Sequence, residues 1–111
     1  MTNHRSGFVR AWHGHKHEAK YMTVVRGSIL VCCVAVDDWQ RPSAQLPIAR
    51  FVLSDRSPGV LHIPGGFAHG TMSLTDEAKA VFFSTASLKE SEQDDFRFPA
   101  RTWDPWSVAE R

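Results

Sequence analysis

The sequence predicts an all-β domain, a sandwich or barrel of short strands. Three observations carry this expectation. The apolar runs are short and rich in β-branched residues, as in YMTVV at Tyr21–Val25 and ILVCCVAV at Ile29–Val36. Gly and Pro punctuate the chain at Gly27, Ser57-Pro58-Gly59 and Pro64-Gly65-Gly66. No segment has the apolar spacing of a good amphipathic helix, and there is no repeat or low-complexity tract.

Taken in order, Phe8–Trp12 reads as a short strand with an internal arginine. Tyr21–Val25 and Ile29–Val36 read together as two strands with a tight turn at Gly27, as in a hairpin. Asp37–Leu46 is a polar loop holding Trp39 and Pro42. Ile48–Leu53 and Val60–Ile63 are strands, and His69–Leu74 and Lys79–Ser84 two more, joined at Thr75-Asp76-Glu77. The tail from Lys89 is charged and then aromatic (FRFPARTWDPW), and is expected to lie across the outside of the domain or against a partner. For Phe98, Trp103 and Trp106, packing is preferred over stacking on a base, because aromatic rings bury large apolar areas.

A chain of 111 residues with 42% hydrophobic and 23% charged content fits one small domain, 1–111, with a core at about 7–88 and a tail at 89–111. Such a core is modest, so a homodimer is expected. A net charge of +1 argues against nucleic acid or a membrane surface as partner, and no apolar run is long enough to span a bilayer. The N-terminus has no hydrophobic stretch behind its charges, so no secretory signal is expected and the reading is cytoplasmic. Cys32 and Cys33 are adjacent, so on a strand they face opposite ways and do not pair; both are read as buried, reduced thiols.

The segment HGHKHEAK, His13 to Lys20, raises the functional question. His13 and His15 are two apart and share a strand face. Past His17-Glu18-Ala19, where the chain is expected to turn, that face can no longer be assumed. His69 comes from a distant strand and could meet the pair inside a barrel. His4 and His17 are left to solvent, and His62 is read as packed or exposed. The spacing itself is informative: Gly7, five residues, His13-Gly14-His15, four residues, Lys20, six residues, Gly27; then Pro64-Gly65-Gly66, two residues, His69. This resembles the two motifs of the cupin superfamily, with Lys20 where a glutamate ligand is usual and Ser73 where an asparagine is usual. The resemblance implies a jelly roll (double-stranded β-helix) with the site in its mouth.

Within the cupins, residues 7 to 85 are similar to the dTDP-4-dehydrorhamnose 3,5-epimerase family, most specifically through IPGGFAHG, Ile63 to Gly70. The resemblance implies His13 as the base that removes a proton beside a ketone, and Arg10 as a diphosphate contact. It implies Lys20 and His69 around the keto sugar, and no cofactor. A cation at the developing oxyanion lowers the barrier to enolisation. Where the family has a tyrosine acid, AVFFS places Phe82 or Phe83. Tyr21, the one tyrosine, must point outward if Lys20 points inward. The family's aspartate partner for the base has no clear match. His15 is instead similar to sugar-nucleotide 3,4-ketoisomerases, in which two histidines shuttle a proton between neighbouring carbons.

Three readings follow. The first is a metal-independent epimerase or isomerase of a nucleoside-diphosphate 4-keto-6-deoxy sugar, with His13, His15, Lys20 and His69 as catalytic candidates. Arg10 and Arg26 are its substrate-binding candidates. The second is a metal cupin holding one divalent transition metal on His13, His15 and His69, opposed by the Lys20 ammonium. The third is a sugar-nucleotide-binding module without catalysis. Arg26, Arg50, Arg56, Arg97 and Arg101 are further candidates for nucleotide contact, with solvated surface charge the plainer reading for each.

Overall fold

The structure, a computed structural model, describes residues 1–107. It is a sandwich of two antiparallel sheets in the jelly-roll manner. The strands are β1 (Thr2–Asn3), β2 (Val9–His15), β3 (Lys20–Arg26), β4 (Ser28–Ala35), β5 (Ala49–Ser54), β6 (Leu61–Ile63), β7 (Phe67–Ser73), β8 (Ala78–Ser84) and β9 (Phe96–Arg97). One short helix, α1 (Leu88–Gln93), precedes β9. The four-stranded sheet has the order β1-β8-β3-β6 and the five-stranded sheet β5-β4-β7-β2-β9. No helix among the described residues is long and apolar enough to cross a membrane.

The turn expected at Gly27 exists, but the hairpin does not. β3 pairs with β6 and β8, whereas β4 pairs with β5 and β7, so the chain changes sheets at Gly27. Gly27 has φ +74°, and a Cβ there would stand 2.2 Å from the Glu77 carbonyl oxygen. Its N–H is held by the Asp55 carboxylate at 3.0 Å. A left-handed backbone closed in by main chain admits only glycine.

Alternation places each strand's side chains. Met22, Val24, Ile29, Val31, Cys33, Ile63, Ala78 and Ala80 fill the space between the sheets. On the other face of the five-stranded sheet, Trp12, Cys32, Val34 and Ala68 form a second cluster with Trp103. Cys32 and Cys33 therefore face opposite ways, both buried and unpaired. The aromatic tail builds this outer layer. Trp103 meets Trp12 edge to face at 5.3 Å, and the Trp12 indole N–H donates to the carbonyls of Ala100 and Trp103, each at 3.0 Å. Each buried indole removes on the order of 200 Å² from water, worth about 5 kcal/mol before entropy costs.

Apolar spacing gives no sign of helix α1, because the helix has no buried residue. Its signal is local: Ser87 and Glu90 form a capping box, each side chain bonded to the other's backbone N–H.

Candidate functional site

A cavity of about 360 Å³ opens at one end of the sandwich, between the two sheets. The five-stranded sheet contributes Arg10, His13, His15, His69, Thr71 and Arg97, and the four-stranded sheet Lys20 and Phe82. The structure thus brings together five of the six expected site residues. Arg26 is the exception. It lies exposed at the far end of β3, beside Lys79, and does not line the cavity. It is six positions along the strand from Lys20, so strand rise alone carries it roughly 20 Å away.

A bulge in β2 makes the arrangement possible. Arg10 pairs with Thr71 and His13 with His69, so Ala11 and Trp12 together face Gly70. One extra residue lets Arg10 and His13, an odd number apart, point into the same cavity. Gly70 must be small here, since a Cβ would sit 2.7 Å from Ala11 Cβ and 2.8 Å from the Trp106 ring. Arg10 is steered by Asn3 in β1: its Nε donates to Asn3 Oδ1 at 2.9 Å, and Asn3 in turn donates to Ser73 Oγ at 2.6 Å.

His13 and His69 are cross-strand partners with ring centroids 6.0 Å apart, and His15 lies 6.1 Å from His69. The His13 and His15 rings are inclined to that of His69 by 31° and 30°. Among the described residues no group of three His, Cys, Asp or Glu side chains is placed to hold a metal ion, which corrects the His13, His15, His69 ligand set. Burial lowers the pKa of His13 below its ordinary value, with the Arg97 guanidinium adding to this and Asp95 opposing it. Burial pushes His69 down to about 3, with Lys20 adding, so His69 is a neutral imidazole.

His15 is anchored from outside the strand. Its Nδ1 lies 2.7 Å from the Asp94 carbonyl. A carbonyl can only accept, so Nδ1 carries a proton, while Nε2 is buried and without a partner. The Asp94 carboxylate organises the turn after β2. It accepts the N–H groups of Lys16, His17 and Glu18 at 2.8, 2.9 and 2.9 Å. Burial would raise its pKa, but these three bonds outweigh burial and hold it below the usual carboxylate range.

Glu18 is the site residue that sequence reasoning misses, because it reads as part of a solvated turn. Its side chain is 1% exposed. Oε2 accepts from Ser84 Oγ at 2.6 Å and lies 3.6 Å from Lys20 Nζ, while Oε1 lies 3.6 Å from His15 Nδ1. Burial would raise its pKa; the hydrogen bond from Ser84 outweighs this, with the Ser91 hydroxyl and the charge about His15 and Lys20 adding, and the carboxylate stays ionised. Alternation offers no signal for it, because Glu18 lies in the turn between β2 and β3 and not on a strand. Phe82 is the inward member of its pair, its ring centroid 5.8 Å from Lys20 Nζ; Phe83 is 61% exposed. Tyr21 points outward and stacks on His62 at 4.7 Å.

A comparison with curated proteins returns no match. Among solved structures, the chain is similar to dTDP-4-dehydrorhamnose 3,5-epimerase (rfbC) from Bacillus anthracis, whose structure has TDP and PPi bound. That likeness has TM-score 0.78 and 21% identity, covering 99% of this chain and 64% of the other. The epimerase from Sulfolobus tokodaii has TM-score 0.73 and 27% identity, covering 94% of this chain and 60% of the other. NovW, a 4-keto-6-deoxy sugar epimerase from Streptomyces spheroides, has TM-score 0.73 and 23% identity, covering 99% and 53%. The chain therefore spans less than two thirds of the length of each. A family model described as dTDP-4-dehydrorhamnose 3,5-epimerase matches residues 1–103, and with this match across nearly all of a jelly roll of the same fold, the chain belongs to the dTDP-4-dehydrorhamnose 3,5-epimerase family.

Proposed function

We propose that the chain is a metal-independent isomerase that epimerises a nucleoside-diphosphate 4-keto-6-deoxy sugar by removing a proton beside the ketone. The observation that carries this reading is a half-buried imidazole, His13, in a cavity that also holds the Lys20 side chain. Proton abstraction from carbon needs a base that is unprotonated near neutral pH and a positive charge near the oxygen that becomes an enolate. His13 is the base. Its lowered pKa leaves the imidazole free to accept, and the abstracted proton rests on it as the C–H bond breaks. The Lys20 ammonium stabilises the enolate, and the neutral His69 donates a hydrogen bond to it. His15 is fixed through Nδ1 and leaves its Nε2 without a partner. Arg10 at the mouth takes the diphosphate, a planar guanidinium matched to phosphate oxygens.

These groups need no cofactor for this chemistry. The outer face of the four-stranded sheet exposes Val25, Val81 and Phe83, apolar area that supports a homodimer, to be measured by sedimentation velocity. Sugar-nucleotide chemistry of this kind fits the cytoplasm. The test is incubation with a nucleoside-diphosphate 4-keto-6-deoxyglucose in deuterated water. Deuterium is expected to enter at a carbon beside the ketone, and to do so only when His13 is present. Uptake no faster than without protein would remove the reading.

A further inference from the structure

If the cavity works as an epimerase, it needs a donor on the wall opposite the base. Inversion at carbon requires that the proton leave one face and return on the other. Two of the cavity's walls are the facing sheets, and Met1, Asp95 and Leu88, Ser91 and Glu92 of α1 close it at the side. All three of its histidines, and Arg10 and Thr71, stand on the five-stranded sheet. Phe82, on the opposite wall, has no proton to give. The one group that the four-stranded sheet sends into the cavity with a transferable proton, among the described residues, is Lys20.

We propose that Lys20 is a catalytic residue that returns the proton to carbon on the face opposite His13, and that Glu18 is the positioning residue that holds its ammonium there. This rests on the epimerase reading above. Lys20 Nζ is 3.6 Å from Glu18 Oε2 and stands 5.8 Å from the centroid of the Phe82 ring, so it is held over the apolar patch of the far wall. Glu18 is itself fixed by Ser84 at 2.6 Å. β3 and β8 pair Lys20 with Ser84 and Met22 with Phe82, which sets the lysine diagonally beside the phenylalanine.

The step balances without a redox partner. The C–H bond breaks toward the five-stranded sheet and its proton passes to His13. The electron pair spreads onto the ketone oxygen as an enolate. As the enolate collapses, its carbon takes a proton from Lys20 Nζ, leaving a neutral amine. Proton exchange with solvent returns His13 to imidazole and Lys20 to ammonium. The carbon is inverted and nothing is oxidised.

Arginine separates the two duties of this side chain. It keeps the positive charge that stabilises an enolate but does not give up a proton. Two quantities are read from one incubation in deuterated water with the keto sugar nucleotide: deuterium uptake beside the ketone, and formation of the inverted epimer. In Lys20→Arg the ratio of inversion to uptake is expected to fall by about 100-fold or more, the usual worth of a general acid. A smaller fall, including an equal loss of both, overturns the proposal and leaves Lys20 as an enolate stabiliser only. Should Lys20→Arg not fold, Glu18→Gln replaces it, and there the same ratio must fall by about tenfold or more through loss of the charge that holds the ammonium. An unchanged or less altered ratio overturns the proposal. Absence of uptake in the parent protein sinks the epimerase reading and this proposal together, so the two failures are told apart.

Discussion

Replacing Asp94 by asparagine removes one charge and one acceptor from the turn that shapes the site. In the parent, one carboxylate oxygen accepts from Lys16 N–H and the other from His17 and Glu18 N–H. The single amide oxygen of the replacement can keep the last two, but its NH2 group then meets the Lys16 N–H, donor against donor. One bond to a charged acceptor is lost and two become neutral. With charged bonds at about 1.5–3 kcal/mol and neutral ones near 1, the loss at the low end of these ranges is roughly 3 kcal/mol. For a domain of this size that lowers Tm by about 12 °C. The difference also depends on pH. The folded pKa of Asp94 is depressed, so its contribution is full above the ordinary carboxylate pKa and is lost as pH falls through the lower folded value. Thermal unfolding of parent and Asp94→Asn from pH 7 to pH 3 should therefore give curves that converge toward acid. A shift at pH 7 below about 3 °C, or curves that stay parallel to pH 3, would refute the view that this carboxylate organises the turn.

Other expectations follow from the same geometry. His13→Asn should lower deuterium uptake by at least about 100-fold with Tm within a few degrees of the parent, since general-base catalysis is worth that much; a fall below about tenfold would remove His13 as the base. Because the pKa of His13 is lowered from 6.5, uptake should be independent of pH through neutrality and fall only below pH 6.5 as the imidazole protonates, a rate profile that a limb centred above pH 7 would contradict. Gly14→Ala should destabilise by roughly 1–3 kcal/mol in chemical denaturation, because its Cβ would stand 2.6 Å from the Trp39 ring; an unchanged midpoint would show that Trp39 yields freely. Burial raises Cys33 to about 11 and Cys32 in the same direction, so neither thiol should react with a disulfide reagent at pH 8 until the chain unfolds.

What is legible in the sequence is what a period of two dictates. His13 with His15, Lys20 against Tyr21, and Cys32 against Cys33 all fall on the faces that alternation assigns. Parity within a strand does not say which sheet the strand joins. That is why β3 and β4 read as a hairpin when the chain in fact crosses between layers at Gly27. Nor does it reveal a bulge, so the reason Arg10 can share a cavity with His13 lies in the β2–β7 register and not in the spacing. Arg26 shows the converse error: a cation on the right strand, but at the wrong end of it.

The tail carries the larger lesson for this site. The segment 89–107 reads as peripheral because it is charged and then aromatic, with little of the alternation that marks a strand. Yet Trp103 closes the outer face of the five-stranded sheet, and Asp94 reaches back across the chain to hold the turn between β2 and β3. The Asp94 carbonyl fixes His15, and the turn presents Glu18 to Lys20. Glu18 in turn holds Lys20. The two sheets are thus tied through two buried carboxylates, of Asp94 and Glu18, and one backbone carbonyl. A site formed by strands that merely face each other would leave the base and the opposing cation free to drift with the two sheets. Here a continuous chain of hydrogen bonds and close polar contacts runs from His15, two residues along β2 from His13, through the Asp94 and Glu18 groups to Lys20, and ties the strand of the base to the opposing cation. Chemistry that must address both faces of one carbon requires that fixed separation, because misplacement by even 1 Å can cost on the order of 100-fold in rate.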